Sequence, residues 1–272
     1  MNFVKIDSEN EEAFASVLPE DFDASGTAVT IGAADDTGAV LGAISLIHEI
    51  DQVEITWLYV AEPARRQGVG RSLLREIRHM VAGIGFCPIV AQYDGAEDSG
   101  LYEFFLSLDD TEFFAETDYS HDRVEIKAGD FYNDEMIKGE AKLSYAAFNF
   151  WDADDDLRKA MLDLSADHLQ ILDEESFRNS CVQSLCKAVE SEGKPLAFML
   201  VEKAPNGDLL LSYLHSKDPV ALMTILKAAA SGLKKNYKQK SILFDLMTPE
   251  AEAIAKKLFP EADRKPIYET VM

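Results

Sequence analysis

At 272 residues, with 47% hydrophobic and 28% charged residues, the chain is long enough for one large domain or two ordinary ones and too apolar to be disordered. Its 49 acids against 26 bases leave a formal net charge of −23, which repels phosphate backbones and argues against general nucleic-acid binding. Cys87, Cys181 and Cys186 cannot build a disulfide framework, and no apolar run reaches the ~18 residues that span a bilayer. The start, MNFVKIDSEN, has no basic region followed by an apolar one, so the expectation is a soluble cytoplasmic protein in a reducing compartment.

Residues 2–7 alternate weakly and read as a short strand; 8–22 read as acidic and partly helical. Three strand-like runs follow, at 27–34, 39–49 and 52–60. The turn cluster Asp35-Asp36-Thr37-Gly38 and a tight Ile50-Asp51 connection join them into an antiparallel meander. Val69, Leu73, Ile77 and Val81 recur every four residues, which predicts a helix over 69–81 ended by Gly83 and Gly85. Residues 88–93 read as a strand, 98–107 as a helix and 112–128 as strand-rich.

The second half repeats this order. Helices are expected at 157–172 and 176–190. A hairpin over 195–203 and 208–215 turns at Ala204-Pro205-Asn206-Gly207, and helix 219–235, strand 241–246 and helix 249–259 complete the series. A shift of 156 sets Trp57-Leu58 on Tyr213-Leu214, Glu62 on Asp218 and Pro63 on Pro219; a shift of 153 sets Ile89-Val90 on Ile242-Leu243. The reading is two tandem α/β units: residues 1–128, a linker at 129–141, and residues 142–272.

Charge divides unevenly between the halves. Residues 1–136 hold 28 acids and 8 bases, and five of those bases are Arg65, Arg66, Arg71, Arg75 and Arg78. Such an island serves either as counter-charge to neighbouring acids on a helix face or as a site for an anionic ligand. The segment Arg65-Arg66-Gln67-Gly68-Val69-Gly70 lies between a strand and a helix. Glycines there let backbone N–H groups approach a ligand, and a helix start offers unpaired N–H groups and a positive dipole end. Gly70 is followed by Arg71-Ser72 rather than Lys-Ser/Thr, which excludes a P-loop. Leu73 and the antiparallel meander exclude a dinucleotide fingerprint.

The run LYVAEPARRQGVGRSLL resembles the acetyl-CoA-binding motif of the GNAT superfamily of N-acetyltransferases, and the order of elements over residues 1–128 is similar to that family as well. The resemblance implies a bent mixed sheet flanked by helices, in which strands 52–60 and 88–93 run parallel and then splay around the pantetheine arm. It implies backbone contacts from Leu58, Tyr59 and Val60 to that arm, with a β-bulge near Trp57, Leu58 and Tyr59 aiming one N–H at the thioester carbonyl. It further implies a pyrophosphate cradle from Gln67, Gly68, Val69, Gly70, Arg71 and Ser72, with charge from Arg65 and Arg66. The activity implied is acetyl transfer from acetyl-CoA, without a metal, to a primary amine. A module that binds CoA without turnover is the alternative.

Glu54 is the candidate base on the strand before the motif, sharing a face with Thr56 and Leu58 by period two; a water chain is the alternative. Tyr102 matches the family's proton donor to the leaving thiolate, or else belongs to an aromatic core stripe with Phe105 and Phe113. The second copy has Ala221 to Leu226 in place of the glycine loop, Leu210 in place of Glu54 and Ala255 in place of Tyr102, so it is expected to bind no CoA. Cys181 and Cys186 are expected on one helix in a buried apolar role. His48, His79, His121, His168 and His215 are scattered, and Asp152 to Asp156 read as a helix start. The acidity points to a cationic small-molecule or peptide acceptor, with no nucleic-acid or membrane partner, and to a monomer or homodimer.

Overall fold

A computed structural model describes residues 1–19, 22, 24, 26, 28–48, 52–83, 87–95, 100–109, 111–139, 144–164, 174–204 and 207–272. The Ile50-Asp51 connection, Gly85, residues 98–99 of the expected helix, His168 with residues 165–172, and Pro205-Asn206 lie outside them. The chain divides into two compact units. The first joins Met1–Ser120 to Pro266–Met272, and the second is His121–Lys265.

The first unit runs β1 (Asn2–Ile6), α1 (Glu11–Phe14), β2 (Val29–Ala34), β3 (Val40–His48), β4 (Val53–Val60), α2 (Val69–Ala82), β5 (Ile89–Asp94) and α3 (Leu101–Leu106), and then enters β6 (Glu116–Lys127). The second continues with α4 (Ala128–Asn133), α5 (Glu135–Lys138), β7 (Phe148–Asn149), α6 (Asp155–Leu162), α7 (Glu174–Ser180), β8 (Lys187–Ser191), β9 (Lys194–Lys203), β10 (Leu209–Ser216), α8 (Pro219–Asn236), β11 (Ser241–Asp245) and α9 (Pro249–Leu258). The strand β12 (Arg264–Val271) follows, and its residues from Pro266 onward return to the first unit.

In the first unit the strand order is β1-β2-β3-β4-β5-β12-β6. The meander expected from the sequence is present: β2–β3 and β3–β4 are antiparallel, and Asp35 Oδ1 closes the β2–β3 turn by accepting from Thr37 N and Ala39 N. β4 and β5 are parallel. Val69, Leu73, Ile77 and Val81 of α2 are all buried, so the four-residue spacing marks the core face, against Ile31, Ile44, Ile55 and Phe105. The opposite face of the sheet is covered by Phe14 and Val17, which pack with Ile6, Ala43 and Tyr59, and Trp57 Nε1 donates to Val17 O at 2.9 Å.

In the second unit the order is β6-β11-β10-β9-β8-β7. Asp154 caps α6 by accepting from Leu157 N at 2.8 Å, as the Asp152–Asp156 run leads one to expect. Two sequence expectations are corrected here. The helix expected over 176–190 stops at Ser180. Cys181 and Cys186 then lie on an extended turn into β8, both still buried in an apolar cluster with Phe150, Trp151 and Phe198. Ala188 and Val189 are buried on β8, a short apolar run whose periodicity does not separate strand from helix. The expected linker is also not a linker where it is described: it folds as α4 and α5, with Ala128, Phe131 and Ile137 buried in the second unit's main cluster. The units part instead at Ser120 and at Lys265.

Candidate active site

β4 and β5 pair over only three positions, Val53 with Ile89, Glu54 with Val90 and Ile55 with Ala91. Beyond them the strands part. On its other edge β4 pairs Ile55 with Leu46 and Trp57 with Ser45, so Thr56 is an extra residue, a β-bulge. The bulge resets the alternation of side chains. Val53 and Ile55 face the α2 core before it, and Leu58 and Val60 face that core after it. Glu54 therefore lies on the opposite face from Leu58, together with Trp57 and Tyr59, and the simple period-two reading that put Glu54, Thr56 and Leu58 on one face is corrected.

The parting of the strands opens a cavity of about 1150 Å³. Its wall along β4 runs from Ile55 to Val60, and β5 contributes Ala91, Gln92 and Tyr93. Arg65, Arg66, Gly68, Val69, Gly70 and Arg71 line it from the loop and the start of α2, and α3 adds Leu101, Glu103, Phe104 and Phe105. Of the residues expected to hold a cosubstrate, Leu58, Tyr59, Val60, Arg65, Arg66, Gly68, Val69, Gly70 and Arg71 all line this space. Gln67 and Ser72 flank it, with Gln67 Nε2 donating to Pro63 O and Ser72 N donating to Gly68 O.

The loop has the backbone of an anion cradle. Arg66 and Gly68 both adopt positive φ, 61° and 81°, so N–H groups of successive residues turn toward one side. Gly68 is the N-cap of α2 and supplies no side chain to occupy the helix's first donors. A Cβ built at Gly70 would stand 3.0 Å from a ring atom of Phe104, so this glycine also admits α3 close to the start of α2. Arg65 is held over the Tyr59 ring at 5.5 Å and donates to Val60 O, beside the cavity.

The arginine island divides in two. Arg75 pairs with Glu112 at 2.6 Å, and Arg78 donates to Glu112 O and lies over the Phe113 ring. These two are counter-charges that fasten α2 to the segment after α3. Arg71 donates to Ser107 O at 2.8 Å, and Arg65 and Arg66 remain at the cavity with it.

Neither candidate for proton transfer is among the cavity's lining residues. Tyr102 is half-buried on α3 with its ring 4.4 Å from that of Tyr268. Glu54 lies beside Val90 and Ile47 in the sheet. Gln92 and Glu269 were not singled out from the sequence. Gln92 is the first β5 residue past the split and donates from Nε2 to Glu269 Oε2 at 2.9 Å. Their signal in the sequence was only the offset from the β4–β5 pairing, and β12 itself was not foreseen.

The second unit reproduces the frame without the loop. β10 pairs in parallel with β11 at Leu209–Ile242, Leu210–Leu243 and Leu211–Phe244, and a bulge follows at Ser212. These positions are Val53, Glu54, Ile55 and Thr56 shifted by 156, and Ile89 to Ala91 shifted by 153. Helix α8 begins at Pro219, so the residues matching the Arg65–Gly68 loop, Ala221 to Thr224, are inside a helix. Their N–H groups serve that helix and its cap: Asp218 Oδ1 accepts from Val220 N and Ala221 N at 2.8 Å each. Among the described residues no three or more His, Cys, Asp or Glu side chains gather as a metal site, and no helix is long and apolar enough to cross a membrane.

Residues 27–105 match the family described as acetyltransferase (GNAT) domain. A comparison with curated proteins gives no match. Among solved structures, a tandem GNAT protein from the clavulanic acid biosynthesis pathway is similar over 99% of this chain and 97% of its own, at 15% identity and a TM-score of 0.66. A GCN5-related N-acetyltransferase from Sphaerobacter thermophilus is similar over 96% of this chain and 84% of its own, at 12% identity and a TM-score of 0.54. A glucosamine N-acetyltransferase region of a fungal multi-domain beta-N-acetylglucosaminidase matches 99% of this chain and 38% of that one, at 12% identity and a TM-score of 0.64. At such identities the likeness carries the fold. The sequence match places an acetyltransferase (GNAT) domain at residues 27–105 of the first unit, and the fold of the whole chain is similar to that of a tandem GNAT protein.

Proposed function

We propose that the first unit transfers an acetyl group from acetyl-CoA to a primary amine by direct attack in a ternary complex. The observation that carries this reading is the three-pair contact of β4 and β5, which opens into a cavity of about 1150 Å³ with a glycine-capped helix at its mouth. The cavity suits a long, narrow ligand with an anionic end. Bound there, acetyl-CoA would supply an activated acetyl thioester.

The backbone of Leu58, Tyr59 and Val60, lacking a β5 partner, offers edge N–H and C=O groups to an extended pantetheine arm. Gln67, Gly68, Val69, Gly70 and Arg71 offer N–H groups to a pyrophosphate, with charge from Arg65 and Arg66, while Ser72 flanks the cradle with its own N–H bonded to Gly68 O. In this reading the bulge at Thr56, which lines the cavity, would aim a backbone N–H at the cleft to stabilise charge developing on a carbonyl oxygen. An ammonium must lose its proton before it attacks. Glu54, acting directly or through water, is the candidate acceptor of that proton, and Tyr102 the candidate donor to the departing thiolate. The second unit, with α8 filling the loop, holds no CoA in this reading.

A thiol-release assay with acetyl-CoA and a panel of amines, amino acids, polyamines, aminoglycosides and peptides tests the proposal. Turnover with at least one amine supports it. Acetyl-CoA binding with neither amine turnover nor slow hydrolysis supports a CoA-binding module instead, a reading favoured by the position of Glu54 and Tyr102 away from the cavity lining.

A further inference from the structure

In both units one position follows directly after the third parallel pair on the shorter strand. In the second unit it is Asp245, opposite Arg123 on β6. Arg123 meets Asp245 with both Nε and Nη2, the latter at 2.7 Å from Oδ2, and His121 Nε2 lies 3.4 Å from Oδ1. The carboxylate there is answered by the Arg123 guanidinium of its own chain, with the His121 imidazole beside it. In the first unit the matching residue is Gln92, opposite Glu269 on β12. The cross-strand pair persists, but its members are an amide and a carboxylate. Among the described residues no Lys, Arg or His lies within ion-pair distance of Glu269, whose carboxylate accepts from Gln92 Nε2.

The charge at this place is therefore balanced within the chain in the unit that has lost its glycine loop, and left negative in the unit that keeps it. Gln92 lines the cavity where the strands part. Since its Nε2 is turned to Glu269, its Oε1 is an acceptor at the other end of the amide. The Gln92 amide oxygen and the Glu269 carboxylate bonded to the same amide both accept N–H donors, and a charge-assisted bond from an ammonium is stronger than a neutral one.

We propose that Gln92 and Glu269 bind the cationic amine acceptor of the first unit, taking a ligand ammonium in the role that Arg123 fills for Asp245 in the second. This deepens the acyl-transfer reading and rests on it. Glu269 is the specificity-determining carboxylate, delivered to the first unit by the chain's final strand.

The test is calorimetric titration of the full chain with linear alkyl diamines, with and without saturating acetyl-CoA, for wild type, Glu269→Gln, Glu269→Asp and Glu116→Gln, the last an exposed carboxylate on β6. We expect Glu269→Gln to weaken diamine binding by about tenfold or more while acetyl-CoA affinity stays within about twofold. Glu269→Asp should recover part of the loss, and Glu116→Gln should bind as wild type does. Equal diamine affinity in Glu269→Gln overturns the proposal, as does an equal loss in Glu116→Gln or the absence of any diamine binding by wild type. Loss of acetyl-CoA binding in wild type would defeat the cosubstrate reading separately, because the titration without acetyl-CoA still decides the part played by Glu269.

Discussion

Gly70 and Phe104 meet across the gap between α2 and α3 with no room for a side chain: a Cβ at Gly70 would stand 3.0 Å from one ring atom and 3.1 Å from the next. The ring is partly buried and packs edge-on against Phe105, whose own ring is fixed in the core. Gly70→Ala should therefore overpack this corner, at a cost of about 1–3 kcal/mol. Phe104→Leu in the same chain should return part of that loss. Thermal melts of the two single variants and the double variant measure the coupling, and strict additivity would separate the two residues.

Gly68 answers to a different constraint. Nothing lies within 4 Å of a Cβ built there, but its φ is 81°, so a β-branched residue is strained in the backbone itself. Gly68→Val should destabilise the start of α2 by about 1–2 kcal/mol and weaken acetyl-CoA binding by about tenfold, because the donors of the first turn lose their alignment. Calorimetry on the wild type should give one site per chain. Two equivalent sites would mean that the second unit binds as well, despite Ala221 to Thr224 being helical.

Tyr102→Phe separates the proton donor from the core aromatic. Loss of a donor used only in the transition state lowers kcat while leaving KM for acetyl-CoA nearly unchanged, and an effect of about tenfold or more on kcat is expected. If kcat is unaltered with chemistry rate-limiting, the ring's contact with Tyr268 is the whole of its role.

Acid should loosen the second unit at Asp245. Burial raises the pKa of this carboxyl, but its bonds to Arg123 and His121 outweigh burial and hold it at about 2, below the ordinary 3.8. A depressed carboxyl contributes its stability above the unfolded pKa and loses it as pH falls through the folded one. The window is thus from about pH 4 down to about pH 2, and the contribution at stake is about 2 kcal/mol. Glu125, held at about 2 mainly by Lys127, with Ser241 and Lys265, titrates in the same window. Asp245→Asn should lower stability at neutral pH and flatten, without abolishing, the acid limb of an unfolding curve taken from pH 5 to pH 2.

Local signals made most of this structure legible. The periodicity of Val69, Leu73, Ile77 and Val81, the turn at Asp35 and the shared prolines at 63 and 219 each depend on near neighbours in sequence. The shift of 156 read from Pro63 and Pro219 is the shift that superposes the β4 and β10 registers and their bulges at Thr56 and Ser212. What could not be read depends on distant partners. Glu112 takes Arg75 and Arg78 out of the anion site from more than thirty residues away. The bulge at Thr56 moves Glu54 off the face of Leu58, and only the pairing with β3 reveals it. β12 carries Arg264, Lys265, Pro266 and Glu269, a composition that does not announce a strand; its place beside β5 comes from the sheet it completes.

That last strand sets a timetable for the first unit. Gln92 and Glu269 are separated by 177 residues, all of which must leave the ribosome before β5 gains its outer neighbour. At roughly 5–20 residues per second, the wait is about 10–35 seconds. Through that interval the edge of β5 carries backbone donors and acceptors with no β12 to meet them, the kind of edge that recruits stray strands. A nascent chain of this design needs shielding while the second unit is made. A cut or stop just after residue 265 would cost the first unit the strand beside β5 and spare the unit that has lost its glycine loop.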